Sequence, residues 1–169
     1  MGRFYAAALM LLIAWPAAGQ DALTPPPGAR KLFEARAAGV QVYVCQEKRA
    51  GEEGQTSFAW ELAGPDAALF SEDGLPLGRH AKGPSWTLND GSSVTAQLIA
   101  KAPAPAPGAI PWLLLKVTAH EGKGRLDGVS FIRRVETSGG MAPDGGCGAS
   151  RRGETERVPY TAVYQFYGP

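Results

Sequence analysis

Several short segments of the chain have a two-residue hydrophobic period. In residues 40–45, three valines alternate with Gln41, Tyr43 and Cys45, and residues 93–100 and 157–167 alternate in the same way. This period is typical of β-strands. Residues 110–117 form the most apolar stretch after the N-terminal region and do not alternate cleanly, which predicts a strand covered on both faces.

Turn-forming residues separate these segments. Residues 51–54 (Gly-Glu-Glu-Gly) lie between two strand-like runs and predict a hairpin, and the Asp90-Gly91 pair supplies the positive φ of a tight turn. A proline–alanine run over 102–108 and a glycine-rich segment over 139–148 predict long loops. A short helix at 65–70, with Asp66 as its cap, is a weaker expectation. The prediction is an all-β, single-domain antiparallel sandwich or barrel with long Pro/Gly loops.

The first residues have the pattern of a secretory signal peptide. Arg3 precedes an apolar run over 4–13, and the small residues Ala17-Ala18-Gly19 follow. The run is too short to span a bilayer, and no later stretch is long and apolar enough to do so. We therefore expect a signal peptide over 1–19, an extended proline-rich leader over 20–29 and one β domain over 30–169. The protein is expected in a periplasm or outside the cell, with no transmembrane segment after cleavage.

The charge balance disfavours two classes of partner. The chain has 17 Lys and Arg against 16 Asp and Glu, and loss of Arg3 with the signal peptide leaves the remainder formally neutral. No stripe of basic residues of the kind that binds nucleic acid is visible. Electrostatic attachment to a membrane is disfavoured for the same reason.

Two cysteines, Cys45 and Cys147, remain in the exported chain. In an oxidising compartment their expected state is a disulfide. The loop that it closes has about 100 residues, for which chain entropy predicts a stabilisation of roughly 4.7 kcal/mol. A metal thiolate or redox pair is the alternative, but neither C-x-x-C nor a nearby histidine supports it.

Residues suited to catalysis are few. The two histidines, His80 and His120, match no metal-binding spacing, and no G-x-S-x-G motif is present for a serine nucleophile. The acidic residues lie in turn-like contexts. We expect no metal and no cofactor. Trp60 and Trp112 are expected in the core, whereas Trp86, close to His80 and beside Gly83-Pro84, is a candidate for a pocket.

A set of motifs in a fixed order resembles one known family. The motifs are residues 39–45 (GVQVYVC), 64–70 (GPDAALF), 78–86 (GRHAKGPSW), 90–92 (DGS), 110–115 (IPWLLL), 134–140 (RVETSGG) with Pro143 and Cys147, and 158–162 (VPYTA) with Tyr164, Phe166 and Tyr167. Together they resemble the DUF3455 family of exported bacterial and fungal proteins with no established function. The resemblance implies a secreted fold with this disulfide and implies no activity. It is weakest at Ala81-Lys82, which disfavours a pocket role for these two positions.

Three hypotheses for function follow. The first is a non-enzymatic exported domain that binds an unidentified small molecule or envelope component in a pocket lined by His80, Trp86, Asp90, Trp112 and Arg134, residues that mix polar and aromatic character. The second is a hydrolase-like enzyme that uses His80 with Asp90. The third is a weak metal site at His80 or His120. The sequence favours the first and leaves the ligand and the oligomeric state open.

Overall fold

The computed structural model describes residues 22–50 and 55–169. The predicted signal peptide over 1–19 and the predicted turn at 51–54 lie outside the described residues.

Within the described residues, eight antiparallel strands form a closed barrel in which each strand pairs with its neighbours in the chain and the last strand pairs with the first. The fold is therefore all-β, as predicted, and the open choice between sandwich and barrel resolves to a barrel. A 3₁₀ turn at Ala149–Arg151 precedes the last strand. The strands are β1 (Arg30–Ala50), β2 (Gln55–Phe70), β3 (Pro76–Ala81), β4 (Ser85–Leu88), β5 (Ser93–Ala102), β6 (Trp112–Glu121), β7 (Phe131–Gly139) and β8 (Thr155–Gly168).

Alternation decides which side chains fill the barrel. On β8, Tyr160, Ala162, Tyr164 and Phe166 are all buried, so the face predicted for this strand points inward. On β1 the inward residues include Gln41 and not the neighbouring valines, which are half-exposed on the outside. One face of the sheet thus encloses the core because successive side chains point to opposite sides of a strand.

One end of the barrel is filled with apolar side chains. Phe33 stacks on Phe166 with ring centroids 4.5 Å apart, and Leu126 and Val129 from the segment after β6 are fully buried in the same cluster. The guanidinium of Arg125 lies 4.4 Å from the Phe33 ring centroid. We call this the closed end.

The expected helix at 65–70 is wrong, because these residues belong to β2. They pair with β1 along their length and, from Asp66 onward, with β3. Ladder hydrogen bonds on both sides outweigh the local preference for a capped turn. The Gly64-Pro65 pair is accommodated by a β-bulge, since Gly64 pairs with Val42 and Leu62 with Tyr43.

A second, smaller cluster covers the outside of β6. Leu23 from the leader is completely buried against Ala102 and Leu114, with Trp112 and Phe131 packed beside them. Because Leu115 points into the barrel core while Leu114 faces the leader, β6 is covered on both faces, which explains its unbroken apolar sequence. Trp112 lies in this outer cluster and not in the barrel interior.

The disulfide between Cys45 and Cys147 is present, with a sequence separation of 102. It ties the segment between β7 and β8 to β1. The same segment accepts hydrogen bonds at Gly140 O from the Tyr43 hydroxyl (2.6 Å) and at Gly145 O from Trp60 Nε1 (2.8 Å). Trp60 is therefore half-buried as a support for this loop, not a core residue as expected.

Candidate functional site

The opposite end of the barrel is open on one side because two strands are short. β3 pairs with β2 only from Asp66 to Phe70, and β4 pairs with β5 only from Ser93 to Thr95. The remaining parts of β2 and β5 extend beyond the turn at 82–84, which joins β3 to β4. The barrel wall is therefore lower at this turn than elsewhere, and the interior is accessible from solvent there.

A cavity of about 520 Å³ occupies this open end, a size common for small-molecule sites. Apolar side chains and backbone form most of its wall. The lining residues are Gln41, Leu62, Ala63, Gly64, Pro65, His80, Lys82, Gly83, Pro84, Trp86, Leu98, Pro111, Leu113, Leu115, Arg134 and Tyr164.

Three aromatic rings form the floor of the cavity. His80 and Trp86 are cross-strand partners on β3 and β4, and their rings stack with centroids 4.3 Å apart and an interplanar angle of 14°. Tyr164 from β8 meets both rings edge-on, at 4.8 Å from His80 and 5.4 Å from Trp86. Such stacked and edge-on arrangements fix the rings relative to one another.

His80 is a neutral, oriented imidazole. Its Nδ1 lies 2.8 Å from Ser85 O, and because a carbonyl can only accept, Nδ1 carries the proton and Nε2 is left as an acceptor. Burial lowers the pKa of His80 to about 4, against a smaller opposing effect of the Ser85 hydrogen bond. At neutral pH the floor of the cavity therefore contains no imidazolium.

Arg134 brings a positive charge to the cavity wall. Its Nε and Nη2 both donate to Pro111 O, at 3.1 and 2.8 Å, which fixes the guanidinium. No described carboxylate forms an ion pair with Arg134, and the described lining contains no Asp or Glu. Lys82 adds a second cation at the mouth.

Several enclosed polar atoms near the cavity lack hydrogen-bond partners. They include Gln41 Oε1, Trp86 Nε1 and Tyr164 OH from the lining, together with Tyr160 OH from the same face of β8. An unpaired buried polar group costs about 1–3 kcal/mol. Burial raises the pKa of both tyrosines, so their hydroxyls keep their protons. The protein interior is thus less well satisfied here than at the closed end.

Two of the five predicted pocket residues lie elsewhere. Asp90 is exposed in the β4–β5 turn, where Oδ1 accepts from Ser92 N and Oγ (2.9 and 2.6 Å) and Oδ2 from Arg125 N (2.8 Å). These bonds, that from Arg125 first, lower the pKa of Asp90. The turn is at the closed end of the barrel, roughly 13 Å of strand beyond Trp86. Trp112 is held outside by the leader, as described above.

The pairing proposed for the hydrolase hypothesis does not form. The hydrogen bond recorded for His80 is to the Ser85 carbonyl, and the carboxylate of Asp90 is engaged by Ser92 and Arg125. The two side chains are separated by the length of β4. His120, the other candidate ligand for a metal, is exposed with Nε2 2.8 Å from Val129 O.

His80, Trp86 and Arg134 are brought together, and the structure adds lining residues that the sequence analysis did not single out. Gln41 and Tyr164 are the most informative, and Lys82 lines the mouth although the resemblance disfavoured it. A signal for Gln41 was available: it is a polar residue on the face of β1 that also carries Tyr43 and Cys45. Which face pointed inward was the missing information.

Within residues 22–50 and 55–169 there is no group of three or more His, Cys, Asp or Glu side chains placed to hold a metal ion. The same described part of the chain contains no helix of the length and apolarity needed to cross a membrane.

A family model matches the chain. The model of a family described as a protein of unknown function, DUF3455, matches residues 25–168, which is nearly the whole chain and includes every residue of the cavity. No curated protein and no solved structure matches the chain.

Proposed function

We propose that this chain, which belongs to the DUF3455 family, is an exported, non-enzymatic protein. It binds a small amphipathic molecule inside the open end of its barrel. The observation that carries this proposal is the cavity of about 520 Å³ with apolar walls and a polar, aromatic floor. Small-molecule sites combine these properties, and barrel mouths are a frequent place for them.

The chemistry of the floor favours binding over catalysis. A general base needs a partner that orients it and a reacting group within hydrogen-bond reach. His80 is oriented by the Ser85 carbonyl and not by a carboxylate, and a pKa of about 4 makes it a weak base. No described side chain of the lining offers an acid or an activated nucleophile. The arrangement is suited to holding a molecule without changing it.

Export is supported by the disulfide, since such bonds persist in oxidising compartments. Mass spectrometry of protein recovered from the periplasm or the medium tests this part of the proposal. We expect a chain that begins at Gln20, with both cysteines oxidised. A retained N-terminus or free thiols would contradict it.

A ligand screen tests the binding proposal. Purified mature protein is exposed to a library of small sugars, lipids and organic acids, and the shift in melting temperature is measured. We expect hits among molecules with an apolar body and one polar group, because binding only to the folded state raises its stability. A flat response across the library would overturn the proposal.

Two variants of β6 localise any hit. Leu113→Trp places a large ring into the cavity, whereas Lys116→Trp places the same ring on the exposed outer face of the same strand. We expect the ligand-induced shift to disappear in the first variant and to persist in the second. Circular dichroism checks that both variants keep the barrel.

A further inference from the structure

We infer that the ligand is an organic acid whose anionic group is held by Arg134 and whose apolar body lies against Leu113, Leu115 and the His80–Trp86 pair. This inference rests on the proposed function and specifies the chemical class of the ligand.

Arg134 carries a charge that no described acidic side chain balances. Its Nε and Nη2 donate to a single backbone carbonyl, Pro111 O, which has no charge to compensate. Arg134 is only partly exposed, and withdrawing a charge from water is unfavourable without an opposite charge nearby. The planar guanidinium with its remaining N–H groups is suited to a carboxylate or a similar oxyanion.

Arginines elsewhere on the described chain show the contrast. Asp66 binds both Arg79 and Arg157, at 2.6 and 2.9 Å, on the outer surface. Arg151 is paired with Glu154 and Glu156. These three outer arginines thus have acidic partners, whereas Arg134, the arginine at the cavity, has none among the described residues.

The position of this charge among neutral groups is the second observation. Arg134 lines the same cavity as His80 and Tyr164, and Tyr164 is its partner on β8. Neither ring is charged at neutral pH, because burial lowers the pKa of His80 to about 4 and raises the pKa of Tyr164. Since the described lining contains no Asp or Glu, the net charge of the cavity wall is positive. An anion is the charge type that this interior accepts.

The rest of the cavity wall is apolar. Leu113 and Leu115 from β6 and the ring pair of His80 and Trp86 offer an apolar surface, and the exposed Leu62 and Leu98 continue it to the mouth. A free inorganic anion would leave this surface uncovered. An acid with a hydrocarbon or aromatic body covers it and gains the energy of apolar burial.

A second cation lies on the path by which a ligand reaches Arg134. Lys82 is exposed on the turn that forms the lowest part of the barrel wall. A cation at the rim attracts an anionic ligand before it reaches Arg134, and such contributions act mainly on the association rate.

Calorimetric titration with two matched ligand pairs tests the inference. The probes are decanoic acid and 4-phenylbutyric acid, each compared at neutral pH with its own primary amide, which has the same body and no charge. We expect each acid to bind about tenfold or more tightly than its amide, because a charge-assisted bond exceeds a neutral one by about this factor.

Variants of two adjacent arginines identify the group responsible. In Arg134→Gln we expect the acid to lose about tenfold in affinity while the amide changes less than about twofold. Arg133→Gln removes the same charge from the next residue of β7, which is not part of the cavity lining, and should leave both affinities unchanged. Arg134→Lys should restore part of the preference for the acid.

The outcomes separate the inference from the proposed function. Equal affinities for acid and amide in the wild type, both abolished by Leu113→Trp, would overturn the organic-acid inference and leave cavity binding intact. A preference for the acid that survives in Arg134→Gln would likewise overturn it. If Arg134→Gln does not fold, Arg134→Met, which keeps the aliphatic stem and removes the charge, replaces it, and a wild-type preference for the acid in that variant would overturn the inference. Failure of the wild type to bind any member of the wider library would instead overturn the proposed function.

Discussion

The two ends of this barrel are built on the same strands and differ in what fills them. At the closed end, Phe33, Phe166 and Leu126 pack in one apolar cluster, and the guanidinium of Arg125 lies over the Phe33 ring. At the open end, the inward positions of the same sheet hold His80 and Arg134, and polar atoms remain unpaired.

The last strand shows the difference over a few residues. Phe166 belongs to the closed end, whereas Tyr164, two residues earlier on the same face, lines the cavity. The alternation is the same at both ends, so the two-residue period builds the barrel at each of them. The size and polarity of the inward residues decide which end is solid and which is hollow.

The largest expected effect comes from removing the disulfide, which lies at the open end. Replacement of both Cys45 and Cys147 by Ala removes a link across a sequence separation of 102, and chain entropy predicts a loss of about 4–5 kcal/mol in the free energy of unfolding. Urea unfolding measures the loss. Hydrogen exchange should then accelerate in 140–154 before it does so at the closed end. Uniform acceleration of hydrogen exchange along the chain would show that the disulfide does not stabilise the open end in particular.

Truncation of one side chain at each end compares their packing directly. Phe166 is fully buried in the core cluster, so Phe166→Ala should cost about 3–5 kcal/mol. Leu113 is half-buried beside an existing cavity, so Leu113→Ala should cost about 1 kcal/mol. Chemical denaturation of the two variants gives both values. Similar losses would mean that the open end is as tightly packed as the closed one.

Acid should destabilise the open end first. The pKa of His80 is about 4 in the folded protein, against an ordinary value of 6.5, so between these pH values the unfolded chain binds more protons. Its contribution is complete above pH 6.5 and is lost as the pH falls toward 4, by roughly 3 kcal/mol in total.

Two histidine variants test this pH dependence. His80→Phe keeps a ring against Trp86 and removes the titrating group, so its free energy of unfolding should fall less between pH 7 and pH 4.5 than that of the wild type. His120→Gln, at the exposed second histidine, should keep the full wild-type loss. If both variants behave like the wild type, burial of His80 is not the source.

The smallest effect on stability is expected at the rim. Leu98 is 50% exposed and lines the mouth, and Ile99, 48% exposed, does not. Leu98→Asn and Ile99→Asn should each change stability by less than about 0.5 kcal/mol. Only the first should weaken binding of decanoic acid, by a few-fold, in the titration described above. Equal effects of the two on binding would place the ligand outside the cavity.

Much of the fold was predictable from local patterns. The period of two in β1, β5 and β8, the uninterrupted apolar run of β6 and the Asp90-Gly91 turn, where Gly91 has a φ of 89°, all correspond to elements of the structure. The choice of a barrel was not predictable, because it depends on pairing of β1 with β8 across the whole chain and no local pattern encodes that contact.

The cavity was predictable only in part, for a similar reason. His80 and Trp86 are close in sequence, and their proximity indicated a site. Asp90 is even closer to Trp86 in sequence than His80 is, but it lies beyond the other end of the four-residue strand β4, where a turn uses its carboxylate. Gln41 and Tyr164 are brought to the site by strand register, which sequence distance does not reveal.

Pairing of the first strand with the last has a consequence for biogenesis. Residues of β1 from Arg30 to Val44 have their partners in β8. The pairing of β1 with β8 therefore cannot form until Thr155–Gly168 has left the ribosome. A nascent chain lacking β8 has two unpaired edges and an incomplete core. This delay suits the export proposed above, because a chain whose barrel has not yet closed does not have to be unfolded before it crosses a membrane.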